Sequence, residues 1–184
     1  AAYAVTELWP RRSSLAGALR TLTLIPVLLG LAYPILATWT ITRGFTAEAG
    51  PTLDGAAHLA RSAADDYAAI QWINAGLPRG VIAEAARSGS SYSGYGRIAT
   101  HTGLPAVLGW DFHEWQWRGS WTEQGSRVQD LATLYTTRDW NEARAIMDRY
   151  EIDYVYVGPL EASTFQPIAV TKFGLFLKKI YDNG

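Results

Sequence analysis

The longest apolar run of the chain, Thr21 to Thr42 (TLTLIPVLLGLAYPILATWTIT), carries no charge and is bounded by Arg20 and Arg43. A bilayer core takes roughly 20 helical residues, so the run predicts a transmembrane helix over 21–43. Pro26, Gly30 and Pro34 are tolerated in a membrane helix that packs on others, and Trp39 suits the membrane–water interface. The competing reading is a buried helix of a soluble protein, and two prolines within this length argue against it. Arg11, Arg12 and Arg20 precede the run and Arg43 alone follows it closely. The positive-inside rule then places residues 1–20 in the cytoplasm, unless they belong to a preceding helix, and everything after residue 43 outside it.

Beyond the run the pattern changes. Residues 44–63 are rich in Gly, Ala, Thr and Pro and read as a linker. In Ala64–Ala75 (ADDYAAIQWINA), Tyr67, Ile70 and Ile73–Asn74 recur at helical spacing with Trp72 beside them. Asp65 and Asp66 suit a helix N-terminus, and Gly76 and Pro78 end it. Val81–Ala85 (VIAEA) predicts a short strand. Asp139–Tyr150 (DWNEARAIMDRY) predicts a helix capped by Thr137 or Asp139, with Trp140, Ala143, Ile146 or Met147, and Tyr150 on its apolar face. Asp153–Val157 (DYVYV) predicts a strand closed by Gly158–Pro159, and Phe173–Ile180 (FGLFLKKI) a final strand. Arg87–Thr102 and Leu104–Ser126 read as irregular. This order predicts an α/β fold: one N-terminal transmembrane helix followed by a small extracytoplasmic α/β domain, residues 64–184, with a mostly parallel sheet. Ligands of such sheets collect beyond the carboxyl ends of the strands.

Composition narrows the function classes. With a formal net charge of −1 the chain has no basic face for nucleic acid. It has no cysteine, which rules out disulfides and thiolate zinc sites. Its only methionine is Met147 and it opens AAYAVTELW, so the expectation is the C-terminal part of a longer polypeptide, or a processed product.

Four of the eight tryptophans fall in Gly109–Trp121, GWDFHEWQWRGSW. The flanking strands place this stretch on a rim loop rather than inside a helix, and loops carry function more often than core elements do. Three readings stand side by side: a ligand site, structural packing, and contact with membrane or partner. As a ligand site, His113, Glu114, Trp115, Trp117 and Arg118 face Tyr92, Tyr95 and Arg97. Trp115 and Trp117 stack on sugar, Arg97 and Arg118 pair with phosphate, and His113 or Glu114 orients hydroxyls or moves a proton. Gly94–Ala99 (GYGRIA) fits a dinucleotide fingerprint, but no strand immediately precedes it, and Thr100, Thr102, Gly103 and Pro105 oppose a helix after it. Ser90, Ser91 and Ser93 form no nucleophile elbow. His58, His101 and His113 lack paired ligand spacing; Asp111, His113 and Glu114 hold a metal only if the backbone curls. No metal or cofactor is implied. Asp111 and Glu114, or either with Glu84, form a candidate acid–base pair of the glycosidase kind.

The segments DDYAAIQWIN, SYSGYGRIATHTGLPAVLGW, HEWQWRG, LYTTRD and RYEIDYVYVGPLE resemble the C-terminal part of the polytopic membrane proteins called the Chlor_Arch_YYY family, over about residues 39–160. HEWQWRG and YVYVGPLE are the most specific pieces. That family is similar to the GT-C glycosyltransferases, which use lipid-linked sugar donors. The resemblance implies a membrane-anchored segment in the plasma membrane whose outer domain assists binding of a glycan or lipid-phosphate-sugar, with the catalytic carboxylate in an early loop that this chain lacks. The partners implied are membrane lipid, a lipid-linked sugar, and other transmembrane helices or subunits. The alternative is a non-catalytic structural subunit of a larger membrane complex, with Gly30, Ala32 and Ala37 permitting close helix packing.

Overall fold

The structure is a computed structural model that describes Thr6, Pro10, residues 13–46, Gly50 and residues 52–183. Arg11 and Arg12, used above for orientation, lie outside the described residues, as do residues 47–49 and 51 of the linker. The chain divides into two compact units, Ala1–Leu53 and Asp54–Gly184.

The first unit is built on α1, Ser14–Ile41, a helix of 28 residues that begins about two turns before the apolar run. Ser13 caps it by accepting from the Ala16 amide. The hydroxyls of Thr21, Thr23 and Thr40 donate back to the carbonyls of Gly17, Leu19 and Leu36, so each polar group is satisfied within the helix. That is what a hydroxyl in hydrocarbon requires. Leu22, Leu28, Leu29, Ile35 and Leu36 are all exposed. The helix is long and apolar enough to cross a membrane, and its apolar window is not buried within the chain. A signal sequence near the N-terminus passes the same length and composition test.

The second unit alternates helices with two short parallel strands. In order these are α2 (Leu59–Ser62), α3 (Ala64–Gly76), β1 (Val81–Ala83), α4 (Arg97–Thr102), α5 (Asp111–Arg118), α6 (Arg127–Thr136), α7 (Trp140–Arg149), β2 (Ile152–Val155), α8 (Pro159–Thr164) and α9 (Thr171–Phe176). β1 pairs with β2 in parallel, Val81 with Ile152, Ile82 with Tyr154 and Ala83 with Val155. The extra residue, Asp153, accepts from the Val81 amide through its side chain. On the other edge of β1, Ile82 bridges Ala106 in parallel, so β1 is flanked on both sides.

Side-chain alternation along β1 makes two cores. Ile82 packs with Ile70 and Ile73 of α3, Ile98 of α4 and Leu104 just after it. Ala83 and Ala85 face Leu131, Leu134 and Tyr135 of α6 and Ala143 and Ile146 of α7. The sheet is thus covered by helices on both faces, the arrangement that a parallel sheet demands.

Three expectations are corrected. Phe173–Ile180 is not a strand. A strand would put Phe173 and Leu175 on one face, yet Phe173 is buried and Leu175 is 73% exposed. Phe173 and Leu177 instead reach the core at helical spacing, and Phe176 stacks on Trp140 at 4.6 Å. The tryptophan stretch lies largely inside a helix, α5, rather than on an open loop. The segment after GYGRIA is also helical, because Gly96 takes a left-handed φ of 75° that turns the chain into α4.

Candidate functional site

Two clusters lie at the carboxyl side of the strands. The first is a buried ionic network. Glu84 and Ala85 directly follow β1; Tyr156, Gly158 and Glu161 follow β2; Arg97 opens α4; Asp66 sits in the first turn of α3. Arg97 forks twice. Its Nε and Nη2 donate to the Asp66 carboxylate at 2.6 and 2.9 Å. Its Nη1 and Nη2 donate to Glu161 at 3.1 and 2.9 Å. Each Glu161 oxygen accepts one further bond, from the Ala85 amide at 2.8 Å and the Gly158 amide at 3.0 Å. The Tyr156 hydroxyl donates to Asp66 at 2.6 Å, and its ring lies 5.3 Å from the guanidinium carbon. Gly158 is needed here: a Cβ would stand 2.8 Å from the Tyr156 ring and 3.1 Å from the Asp66 carboxylate.

Electrostatics follow from this geometry. Burial pushes the Asp66 carboxyl up, but the Arg97 fork and the Tyr156 hydroxyl outweigh it and hold Asp66 below its ordinary value. Burial and the Asp66 carboxylate push the Tyr156 phenol up. Glu84 is 1% exposed and accepts from the Ile98 and Ala99 amides at 2.9 and 2.8 Å. Burial drives its carboxyl up to about 7 against the pull of those two amides and of Arg97. Tyr135 closes the network from α6, with its hydroxyl 2.9 Å from the Ala83 carbonyl oxygen and 2.7 Å from that of Tyr156.

This network occupies the crevice where an open α/β sheet ordinarily takes its ligand. The α4 amides that a dinucleotide phosphate would need already donate to Glu84. Arg97, expected opposite the tryptophans as a phosphate ligand, is 7% exposed and committed to two carboxylates of its own chain.

The second cluster is aromatic and exposed. Asp111, the first residue of α5, is buried and anchors the helix to the loop after β1, accepting from Ser88 Oγ at 2.7 Å and the Gly89 amide at 3.1 Å. Trp110 Nε1 donates to the Tyr95 carbonyl at 2.7 Å. From this anchor α5 presents rings on two sides. On one, His113 lies 5.6 Å from Tyr92, 6.0 Å from Trp110 and 6.0 Å from Trp117, centroid to centroid. Trp117 Nε1 donates to His113 Nε2 at 3.2 Å. Trp117 is 78% exposed and Tyr92 73%. Tyr92 holds a φ of 57°, a left-handed conformation that is unfavourable for a bulky residue. On the other side, Trp115 stacks on Phe112 at 5.3 Å and on Trp121 at 5.8 Å.

Of the eight residues expected at the site, the structure therefore gathers Tyr92, His113 and Trp117 into one cluster. Trp115 belongs to the other stack. Tyr95 turns away, its hydroxyl 3.2 Å from Thr164 Oγ1. Glu114 accepts from the Gly109 amide and lies 3.7 Å from Arg118, which also pairs with Glu123. Asp111, Glu114 and Glu84 each face different partners, so no acid–base pair forms across a cleft. Among the described residues no three metal-ligating side chains converge. Sequence reasoning missed Asp66, Glu161, Tyr135 and Tyr156; the signal for Glu161 was the acidic residue three positions beyond Gly158–Pro159, where a side chain reaches back to a helix N-terminus.

Compared with family models, with curated proteins and with solved structures, the chain has no significant match.

Proposed function

We propose that this chain is the C-terminal, membrane-anchored part of a GT-C-like membrane protein, and that its α/β unit lies outside the cytoplasm and holds the sugar of a glycan or lipid-phosphate-sugar. The observation that carries the reading is the exposed cluster of Tyr92, His113 and Trp117. Flat rings beside a hydrogen-bonding imidazole suit a sugar ring, whose faces are apolar and whose rim is hydroxylated. Tyr92 supports it further: its strained backbone places a ring in solvent, where burial gives nothing back. The resemblance of HEWQWRG and YVYVGPLE to the Chlor_Arch_YYY family, and the membrane-length α1, agree with it. Arg97 drops out of the binding set because it is internally paired, and Trp115 serves the neighbouring stack. Catalysis stays with residues elsewhere in the full polypeptide.

The test is titration of the chain in detergent with polyprenyl-phosphate sugars, read by tryptophan fluorescence. Trp117→Ala lowers affinity about tenfold, equivalent to roughly 1.4 kcal/mol. Saturable binding that ignores Trp117→Ala, or no binding of any such sugar, sinks the reading.

A second reading, the non-catalytic subunit, draws on a different observation: the crevice at the strand ends is filled by the Asp66–Arg97–Glu161 network. Co-purification with partner subunits in fixed ratio, without sugar binding, would favour it.

A further inference from the structure

We infer that the Phe112–Trp115–Trp121 side of α5 is a membrane-surface docking face, which seats the α/β unit on the lipid headgroup layer. Phe112 is 44% and Trp121 49% exposed, stacked through Trp115 into one continuous ring surface. Exposed rings that stand side by side, rather than singly, call for an occupant. Their composition selects among occupants. Here two of the three rings are tryptophan, the side chain that settles where hydrocarbon meets water, with its body in the acyl boundary and its indole N–H toward ester oxygens. The Arg118–Glu123 ion pair, next along the chain, stays hydrated at headgroup level.

The second support is covalent. α1 is long and apolar enough to span a bilayer. The segment 42–58 that follows it reaches at most about 60 Å even when fully extended. Lipid is therefore present at high effective concentration for any face of this unit, and a ring stack too weak to bind membrane alone is enough when tethered. The inference rests on the membrane-anchored reading of α1 but not on sugar binding. If both hold, docking brings the neighbouring Tyr92–His113–Trp117 cluster to the depth at which the sugar of a lipid-linked donor lies.

The chain has no cysteine, so a single label site is clean. Gln116→Cys puts a fluorescent nitrobenzoxadiazole label on α5 between Phe112 and Trp117 without removing a ring. Asp148→Cys, 71% exposed near the end of α7 and just before β2, is the control at the opposite edge of the sheet. Both labelled chains are reconstituted in phosphatidylcholine vesicles and floated after alkaline extraction; failure to float overturns the membrane-anchored reading itself. For chains that float, the label at 116 is expected to be several-fold less quenched by iodide than the label at 148. It is also expected to be strongly quenched by doxyl-labelled lipid. Adding Phe112→Ser and Trp121→Ser abolishes both effects. Equal iodide quenching at 116 and 148 overturns docking. Protection from iodide without doxyl quenching assigns the face to a protein surface and equally overturns the proposal.

Discussion

Replacing Glu84 by glutamine tests the buried network through its dependence on pH. Glu84 is enclosed between β1 and the first amides of α4, and burial raises its carboxyl to about 7 from an ordinary 4.5. The native state therefore holds a proton between those values that the unfolded chain has released. Glu84 contributes its full stability below about pH 4.5 and loses it as pH rises through 7. The difference corresponds to about 3 kcal/mol, at 1.36 kcal/mol per tenfold change in proton affinity. Asp66 works in the opposite direction. Its carboxyl lies below the ordinary value, so its contribution is present above about pH 4 and vanishes on acidification. Stability should peak near pH 5. In Glu84→Gln the amide oxygen still accepts from one of the two α4 amides and the other loses its acceptor, at about 1 kcal/mol. At pH 5, where an unfolded Glu84 is already mostly ionised and the parent has lost roughly 1 kcal/mol, the two chains are then nearly equal in stability. By pH 8 the parent has lost about 3 kcal/mol and the variant nothing, so the variant leads by about 2 kcal/mol. At roughly 3 °C per kcal/mol for a domain of this size, the difference in Tm opens from near zero at pH 5 to about 6 °C in the variant's favour at pH 8. The assay is thermal unfolding of both chains in detergent from pH 5 to 8.5, followed by tryptophan fluorescence. Parallel Tm profiles would refute the reasoning, because they would mean that the two amides and Arg97 keep Glu84 ionised throughout.

Arg97→Met leaves Asp66 and Glu161 buried without a cation and should cost about 3–5 kcal/mol, read as a lower denaturant midpoint; Arg97→Lys should recover little, since a point charge cannot fork to two carboxylates. Gly158→Ala drives a methyl into the Tyr156 ring and should cost about 1–3 kcal/mol in the same assay. Asp139→Ala removes the acceptor of the Asn141 amide at the start of α7 and should cost about 1 kcal/mol. Tyr92→Asn exchanges a strained ring for a residue that accepts the left-handed conformation, so Tm should stay within about 3 °C of the parent while sugar binding falls; a large loss of Tm would mean that the ring is structural.

Helices and strands that bury a regular stripe were legible in the sequence. α3 and α7 fall within a residue or two of the expected bounds, and the Asp139 cap is in place, because one face of each reaches the core at a spacing of three and four. Both strands were found from their β-branched and aromatic runs. The elements that were misread are short and capped by backbone geometry rather than by side chains. α4 begins at a left-handed glycine and α9 has no side-chain cap, so neither carries a start signal. α5 hides its helical period because its anchor to the fold is a buried aspartate, while the rings that dominate its sequence point outward. α6 has Leu131, Leu134 and Tyr135 at helical spacing, and that stripe went unread beside the tryptophans. At the site, the sequence left three readings of the tryptophan-rich stretch open, and the structure leaves Trp117 and Trp121 exposed on it. The charged residues were misjudged because exposure is a tertiary property: Arg97 looks like any surface arginine until Asp66, 31 positions earlier, and Glu161, 64 positions later, are brought to it.

The placement of those charges bears on what the unit can do. A parallel sheet leaves its carboxyl ends ringed by helix N-termini and free amides, which is why such sheets bind anions there. Here the vacancy is met from within. Glu84 supplies the carboxyl oxygens for the α4 amides, Glu161 supplies a carboxylate for the amides of Ala85 and Gly158, and Arg97 neutralises Glu161 and Asp66 together. Five segments, α3, the ends of β1 and β2, α4 and α8, are cross-linked at one point, and an incoming phosphate would have to displace a buried carboxylate that already makes four hydrogen bonds. Breaking one partner of such a network costs several kcal/mol, more than most small ligands return from a single anion contact. The crevice therefore acts as a rigid base. The proposed sugar binding is then left to α5 and the loop that carries Tyr92, which are fastened together by Asp111 to Ser88 and Gly89 and by Trp110 to the Tyr95 carbonyl. A rigid base with an aromatic rim suits a unit that positions a substrate for chemistry performed elsewhere, and it explains why substitutions in the two clusters should separate: those at Arg97, Glu161 or Gly158 lower stability, and those at Tyr92 or Trp117 lower binding with stability intact.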